Sequence, residues 1–271
     1  MPSNIENYVF VGKMGFANLK IVIQLLKAIN FKEIAIVGLG KENGLKITVE
    51  DAKCMQGAAY IPSSVFDEYD LKEDVIFSLS LSILVDCLCM LRSHEDSATL
   101  QIFYQGTGYP LSIIIEEDSV ITDCSLRTLE VETMLDFHFK PEDVVNKVVL
   151  QTELLKDVMG ELDSTSEVVE LCLSPEKPYF RISTEGLGGV CHIDLPHNSD
   201  LIGTFQCTLT ATSIFKLMHI KPAMKALSCS KKVSLRTNKA GLLCFQYLIE
   251  TENGQTCYIE YYISPLLEIE D

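Results

Sequence analysis

A chain of 271 residues, of which 47% are hydrophobic, can bury one large core or two of ordinary size. Its formal charge of −16 argues against non-specific binding to nucleic acid or to membranes over the whole surface. It does not exclude a local basic face. The 10 cysteines are dispersed and form no Cys-x-x-Cys pair, which indicates core residues in a reducing compartment rather than a metal site.

The first half begins with a short strand near residues 8–11 and a helix over 17–30, whose apolar residues recur at helical spacing. Three β-rich runs over 33–39, 44–51 and 53–61 follow, separated by polar turns, and predict an antiparallel meander. A strand at 75–80, an amphipathic helix at 81–91 and three strands at 98–105, 109–117 and 119–126 complete this half. The alternation of helices and meanders predicts an α+β domain whose two helices cover the same face of an antiparallel sheet.

The second half repeats this order at an offset of roughly 130 to 137 positions. We expect strands at 146–151, 167–174, 178–185, 189–195, 204–209, 231–237, 241–250 and 255–264 and helices at 152–162 and near 210–220. The sequence therefore predicts a first domain at 1–127, a connector at 128–141 and a second domain at 142–271.

Basic charge is concentrated on the predicted helical segments. Residues 17–30 carry about +2, 80–92 carry 0, 152–161 carry about −2 and 208–226 carry about +3, which leaves about −19 for the remainder. Lysines often occupy solvated helix faces, so this pattern alone does not require a ligand.

Several motifs are not supported by their context. The glycine-rich run GLGKENG precedes a strand rather than a helix, and no Gly-x-x-x-x-Gly-Lys-Ser/Thr motif is present. Glu116, Glu117 and Asp118 could bind a metal for nuclease chemistry, but they lie where a turn is expected. The histidines have no recognisable nucleophile beside them. We predict no catalytic residue, metal or cofactor.

The duplicated order and the closing run IEYYISPLLEIED resemble the sliding-clamp fold of proliferating cell nuclear antigen. More specifically, NGLKITVEDAKCMQGAAYI, FYQGTGYPL, TSEVVELCLSPEKPYFRIST and GQTCYIEYY resemble the Rad-one subunit family of the DNA-damage checkpoint clamp. The resemblance covers nearly the whole chain. It implies two clamp domains with antiparallel sheets outside and two helices per domain on the inner face.

The resemblance also implies partners. It predicts a heterotrimeric ring with Rad-nine-like and Hus-one-like subunits, placed on primed or damaged double-stranded DNA by an ATP-driven loader in the nucleus. Repair enzymes and checkpoint adaptors would be its clients. No run of about 20 apolar residues exists, so we expect no membrane span.

Three sets of residues acquire roles from this resemblance. The side chains expected to face DNA are Lys20, Lys27, Arg92, Lys156, Lys216, Lys221 and Lys225. The subunit edges are expected at Val120, Ile121, Thr122, Cys124, Val190, Cys191, His192 and Ile193. A groove for client peptides is expected at Leu129, Val131, Met134, Ile263, Pro265 and Leu266, although these residues could instead fasten the connector to its own sheet.

Two alternatives remain open from the sequence. A 3′–5′ DNA exonuclease would need clustered carboxylates and divalent metal. A homotrimeric replication clamp would assemble from this chain alone.

Overall fold

The computed structural model describes residues 7–90, 98–135, 137 and 140–266. It divides into two compact units. The first contains Met1–Glu50, Ala58–Met134 and Ile249–Tyr258, and the second contains Asp51–Gly57, Leu135–Leu248 and Ile259–Asp271. The main change of unit therefore falls between Met134 and Leu135, inside the predicted connector.

The elements of the first repeat follow the predicted order, with one additional short strand. They are β1 Phe10–Gly15, α1 Phe16–Ile29, β2 Ile34–Gly40, β3 Gly44–Asp51, β4 Met55–Ile61, β5 Glu68–Leu71, β6 Val75–Ser80, α2 Leu81–Leu88, β7 Thr99–Tyr104, β8 Leu111–Glu117 and β9 Val120–Leu126.

The second repeat has the same order of elements. They are β10 Val144–Gln151, α3 Thr152–Glu161, β11 Val168–Leu173, β12 Phe180–Gly186, β13 Gly189–Leu195, β14 Ile202–Cys207, β15 Ala211–Lys216, α4 Leu217–Ala223, β16 Lys232–Asn238, β17 Leu243–Glu250 and β18 Thr256–Ile263. A 3-10 turn, Met224–Ser228, continues from α4.

Strand pairing confirms the duplication. The first repeat has the orders β5-β1-β7-β8-β9 and β6-β2-β3-β4, and the second has β14-β10-β16-β17-β18 and β15-β11-β12-β13. Each strand of one repeat thus has a counterpart at the same place in the other. Neighbours such as β1 and β7, or β10 and β16, pair antiparallel.

The helices bury the apolar stripe that their spacing predicts. On α1, Leu19, Val22 and Leu26 are buried, while Lys20 and Lys27 are exposed. On α2, Ser80 is the N-cap, and its Oγ accepts a hydrogen bond of 3.4 Å from the backbone N of Ile83. Within the described ranges, no helix is long and apolar enough to cross a membrane.

The helix predicted near residues 210–220 is wrong in its first half. Residues Ala211–Lys216 form β15, which pairs with β11 from Ala211↔Leu173 to Lys216↔Val168, and the helix begins only at Leu217. Two β-branched residues, Thr212 and Ile214, favour the strand. β15 is the counterpart of β6 in the repeat. The predicted run at 204–209 therefore belongs to β14, whose counterpart is β5. The sequence pattern does not predict β5.

A buried polar network crosses three strands of the second repeat. Glu260, only 5% exposed, accepts hydrogen bonds of 2.9 Å from Arg236 Nη2 and 2.9 Å from Gln246 Nε2 through Oε1. Its Oε2 accepts one of 3.0 Å from the Tyr262 hydroxyl. Phe137 packs over this region against Cys244 and Tyr262. Burial raises the pKa of the Cys244 thiol to about 12, so this thiol stays neutral.

Candidate functional site

A groove of about 820 Å³ lies on the second repeat, lined by α3, α4, the 3-10 turn after α4 and the residues that lead into β16. Four lysines from these elements line it: Lys156, Lys221, Lys225 and Lys231. All four are exposed. Four cations around one concavity create a positive potential in a chain whose formal charge is −16.

The shape of the groove follows from how α4 ends. Pro222 lies inside this short helix and cannot donate a backbone hydrogen bond, and the chain continues as a 3-10 turn from Met224. The buried Tyr247 hydroxyl donates a hydrogen bond of 2.9 Å to Ala223 O and holds the junction in place. Lys221 and Lys225 thus project from a fixed backbone into the groove that Lys156 of α3 also lines.

The structure gathers three of the seven predicted DNA-facing residues in this groove, namely Lys156, Lys221 and Lys225. Lys216 is exposed but lies at the end of β15, outside the groove lining. Arg92 falls outside the described residues. Lys231 is not among the predicted residues, because it lies outside the helical segments; the adjacent basic pair Lys231 and Lys232 is its signal in the sequence.

The remaining two predicted lysines lie on the first repeat. Lys20 and Lys27 are exposed on the polar face of α1, and Lys20 Nζ lies 4.0 Å from the centroid of the Phe16 ring. This cation–π contact directs the ammonium group along the helix surface.

Glu153 is an acidic member of the groove lining, so α3 contributes less positive charge than α4.

His219 on α4 does not add to the positive charge. Burial, and then the nearby charge of Lys216, lowers its pKa below the usual histidine value. Its ring nitrogens lie 3.7 Å (Nδ1) and 3.6 Å (Nε2) from Cys54 Sγ. At neutral pH we therefore assign the basic character of this region to the lysines.

The two predicted subunit edges are end strands of their sheets. β9 ends the order β5-β1-β7-β8-β9, and β13 ends the order β15-β11-β12-β13. Both strands share the same alternation of burial, with the first two residues exposed and the last buried. Val120 is 41% exposed, Ile121 66% and Val190 61%. Thr122, Cys124, Cys191 and Ile193 are half-buried, and His192 is exposed.

Two other end strands, β6 and β15, are capped within the chain. On β6, Ser78 exchanges backbone hydrogen bonds of 3.0 and 2.7 Å with Leu129 of the connector. On β15, Ile214 O accepts one of 2.7 Å from Leu266 N in the C-terminal tail. Because unpaired sheet edges favour association, β9 and β13 are better candidates for pairing with other chains than β6 and β15 are.

The predicted client groove stays a prediction, and its residues differ in exposure. Leu129 is 44% exposed, Val131 38% and Leu266 38%, while Met134 and Pro265 are half-buried. Ile263 is 0% exposed, because the last residues of β18 are buried consecutively rather than alternately. Its side chain packs into the core and offers no surface to a peptide.

The acidic trio does not converge on one point. Glu116 and Glu117 are consecutive residues of β8, and Glu116 is exposed while Glu117 is buried. Asp118 adopts a left-handed conformation, φ 48°, at the following turn. In the part of the chain that the structure describes, no group of three or more His, Cys, Asp or Glu side chains could hold a metal ion.

Comparison with known proteins decides the family. The model of the family described as "Repair protein Rad1/Rec1/Rad17" matches residues 13–249. The human cell cycle checkpoint protein RAD1 is 44% identical over 256 residues, which cover 93% of this chain and 90% of the human one. This chain belongs to the Rad1 family.

The fold of this Rad1-family chain is that of a sliding clamp. The crystal structure of the proliferating cellular nuclear antigen from Entamoeba histolytica matches it with a TM-score of 0.76, covering 96% of this chain and 100% of the other. The identity is 15%, so this likeness shows the fold alone. It confirms the predicted α+β clamp architecture.

A more distant Rad1-family relative carries a different name. The DNA repair exonuclease REC1 of Mycosarcoma maydis is 23% identical over 188 residues, which cover 58% of this chain and 41% of that protein. The relatives include both a checkpoint protein and an exonuclease, so their names do not decide whether this chain is catalytic. The residues themselves must be considered.

Proposed function

We propose that this chain is a non-catalytic subunit of a heterotrimeric checkpoint sliding clamp that encircles DNA in the nucleus and recruits signalling and repair factors. The observation that carries the proposal is the groove in which Lys156, Lys221, Lys225 and Lys231 converge on a clamp-fold repeat of an acidic chain. Membership of the Rad1 family and the checkpoint name of the human relative support the biological role.

A ring does not need tight contacts to stay on DNA. Topology prevents escape, while exposed lysines supply a weak, salt-screened attraction to phosphates. Lysine ammonium groups contact the backbone without reading base edges, so the ring can move along any sequence. The lysine groove and the α1 pair Lys20 and Lys27 have this character.

Ring closure in this proposal uses β9 and β13. Each presents an unpaired backbone edge with exposed β-branched side chains, Ile121 on β9 and Val190 on β13. A strand of a neighbouring subunit can extend either sheet by backbone hydrogen bonds. The neighbours would be the Rad-nine-like and Hus-one-like subunits, and an ATP-driven loader would open the ring at primed or damaged sites.

The DNA-binding role predicts a specific salt effect. Replacing Lys156, Lys221, Lys225 and Lys231 together with alanine should weaken binding of the assembled trimer to a labelled duplex. Each lysine–phosphate pair that the substitutions remove should reduce the slope of log affinity against log salt by about 0.9. Fluorescence anisotropy over a salt series measures this slope.

The control removes two positive charges outside the groove. Lys41 and Lys239 are exposed in turns outside the groove lining, and replacing both with alanine should leave the slope unchanged. An unchanged slope in the groove variant, with the trimer intact, would remove the main support for DNA contact at this site.

An exonuclease is the competing function, suggested by the name of the REC1 relative. The divergence of Glu116 and Glu117 to different faces of β8 disfavours a carboxylate pair there. Incubation of the purified chain with end-labelled DNA and Mg²⁺ should give no digestion. Digestion that Glu116→Gln abolishes would instead establish a nuclease.

A homotrimeric replication clamp is separable from the checkpoint subunit by mass. The purified chain alone should sediment as a monomer, since its neighbours in the proposed ring are different proteins. A trimer of this chain alone would favour the replication clamp.

Clients in this proposal dock on the exposed apolar residues of the connector, Leu129 and Val131. Consider a repair-enzyme peptide that binds the native ring. Leu129→Asp should lower the affinity for this peptide by about tenfold or more, because a leucine side chain contributes about 1.5–3 kcal/mol on burial. Titration of the labelled peptide measures the affinity.

The same change at Leu248, which is 55% exposed on β17, serves as the control and should leave peptide affinity unchanged. Equal affinities for the native and Leu129→Asp rings would place the clients elsewhere.

A further inference from the structure

The hairpin between β12 and β13 has an unusual tip. Gly186 and Gly189 form its last strand pair, and Leu187 and Gly188 make the two-residue connection. Leu187 is 93% exposed, the largest exposed fraction of any large hydrophobic residue that the structure describes. Apolar residues are uncommon in such turns, which favour Gly, Asn, Asp and Ser.

Side chains from the segment after α3 hold this tip in place. Asp163 Oδ2 accepts a hydrogen bond of 3.1 Å from Gly188 N, and Thr165 Oγ1 accepts one of 2.8 Å from Leu187 N. The two side chains are joined, because the Thr165 hydroxyl donates a hydrogen bond of 2.6 Å to Asp163 Oδ1. We refer to Asp163 and Thr165 as the hairpin clasp.

Gly186 makes the clasp possible. A Cβ at this position would lie 2.5 Å from Asp163 Oδ2 and 2.6 Å from Thr165 Oγ1, closer than side-chain atoms can approach. The hydrogen bonds also lower the pKa of Asp163, so the carboxylate remains charged well below neutral pH. The backbone of the tip is therefore fixed, although its leucine contacts solvent.

The first repeat provides an internal comparison. The corresponding β3–β4 connection carries Ala52 and Lys53, both exposed and both with positive φ. The fold itself does not require a large apolar residue at this turn. Val190, three residues after Leu187, is also exposed, at 61%, at the start of the β13 edge.

We propose that Leu187 is an anchor residue that inserts into an apolar recess on the neighbouring clamp-fold subunit, beside the strand that pairs with β13. The clasp residues Asp163 and Thr165 position this anchor before the subunits meet. A rigid anchor favours association because little conformational entropy is lost when it binds. The inference rests on the proposed clamp function and deepens it by naming the residue that fits the partner.

The test uses the full chain and its two partner subunits. Leu187→Ser should weaken assembly of the chain with the β13-side neighbour by about ten- to a hundredfold, as expected for the loss of one buried leucine. Sedimentation velocity over a concentration series measures this affinity. Leu209→Ser, at another leucine that is 54% exposed, should have no effect.

The result separates the anchor from the clamp function itself. If Leu187→Ser assembles with native affinity while Ile121→Lys on β9 prevents ring closure, the anchor proposal is overturned and the clamp stands. If neither change affects assembly, both proposals fail.

The positioning role of the clasp has its own measurement. Thr165→Val removes the acceptor for Leu187 N and should speed amide hydrogen exchange at residues 187–190 while weakening assembly. Thr165→Ser keeps the hydroxyl and should behave as the native chain. In the Leu187→Ser background, Thr165→Val should weaken assembly little further; a fully additive effect would show that the clasp does not act through Leu187.

Discussion

Ile121→Lys should abolish formation of the heterotrimer while the isolated chain stays folded. Ile121 is 66% exposed on β9, and its cross-strand neighbour on β8 is Glu116. A lysine here faces a carboxylate in the free chain, which favours the hairpin. At a closed interface the same ammonium group would be buried beside a partner strand, and lysines on edge strands prevent such pairing.

We expect the affinity of this edge for its partner to fall by at least about a hundredfold, since taking an ammonium group out of water costs several kcal/mol even beside a carboxylate. Co-purification with both partners and size-exclusion chromatography measure the loss. Leu248→Lys introduces the same charge at a strand position that is 55% exposed and should leave the trimer intact. A native yield of trimer from Ile121→Lys would exclude β9 as an interface.

His192→Pro tests the opposite edge, because the His192 N–H points away from β12, between the hydrogen-bonded pairs Thr184↔Cys191 and Ile182↔Ile193. Proline removes a backbone donor from β13 and cannot join a new ladder, so the trimer should again fail to form. Circular dichroism of the isolated chain checks that the sheet persists, and the affinity for the β9-side neighbour should be unchanged. Failure to bind either neighbour would indicate a folding defect rather than the disruption of one edge.

The repeated architecture was predictable because its helices and strands carry strong hydrophobic periods. The strands at β3, β6 and β13 lie where the sequence places them, and α1 begins one residue before the predicted start. The miss at β5 has a physical reason. Glu68–Leu71 is only four residues long and half of it is acidic, so it shows little hydrophobic pattern.

Because β5 is absent from the prediction, the predicted elements of the second repeat are matched to the wrong elements of the first. Without β5, the pattern predicts the run at 204–209 as the counterpart of β6 instead of β5, and it predicts the next segment wholly as a helix. The correct counterparts, β6 and β15, are each followed directly by a helix that begins with leucine, Leu81 and Leu217. The repeat itself therefore indicates where α4 begins.

The site was less predictable than the fold. The lysine groove depends on where α4 ends and how the 3-10 turn packs, and neither follows from charge spacing. The burial of Ile263 is also not predictable from the sequence, because a strand that is covered on both faces has no alternation of apolar and polar residues. The hairpin clasp joins residues more than 20 positions apart, so no local pattern in the sequence indicates it.

Glu260→Ala should lower the free energy of unfolding by about 3–5 kcal/mol. The carboxylate accepts hydrogen bonds from Arg236, Gln246 and Tyr262, and its side chain is 7% exposed against 20% for Arg236. Its removal leaves a guanidinium group with little access to water and without its anionic partner. Urea denaturation followed by circular dichroism measures the change.

Two further variants separate the buried charge from a general effect of losing a glutamate. Glu252→Ala, in the exposed turn between β17 and β18, should change stability by less than about 0.5 kcal/mol. The double variant Arg236→Met with Glu260→Leu should recover most of the loss, because a buried ion pair can be replaced by apolar side chains of similar volume. A loss below about 1 kcal/mol in Glu260→Ala would mean that water reaches Arg236 easily. The strands beneath Phe137 would then be held by apolar packing rather than by the polar network.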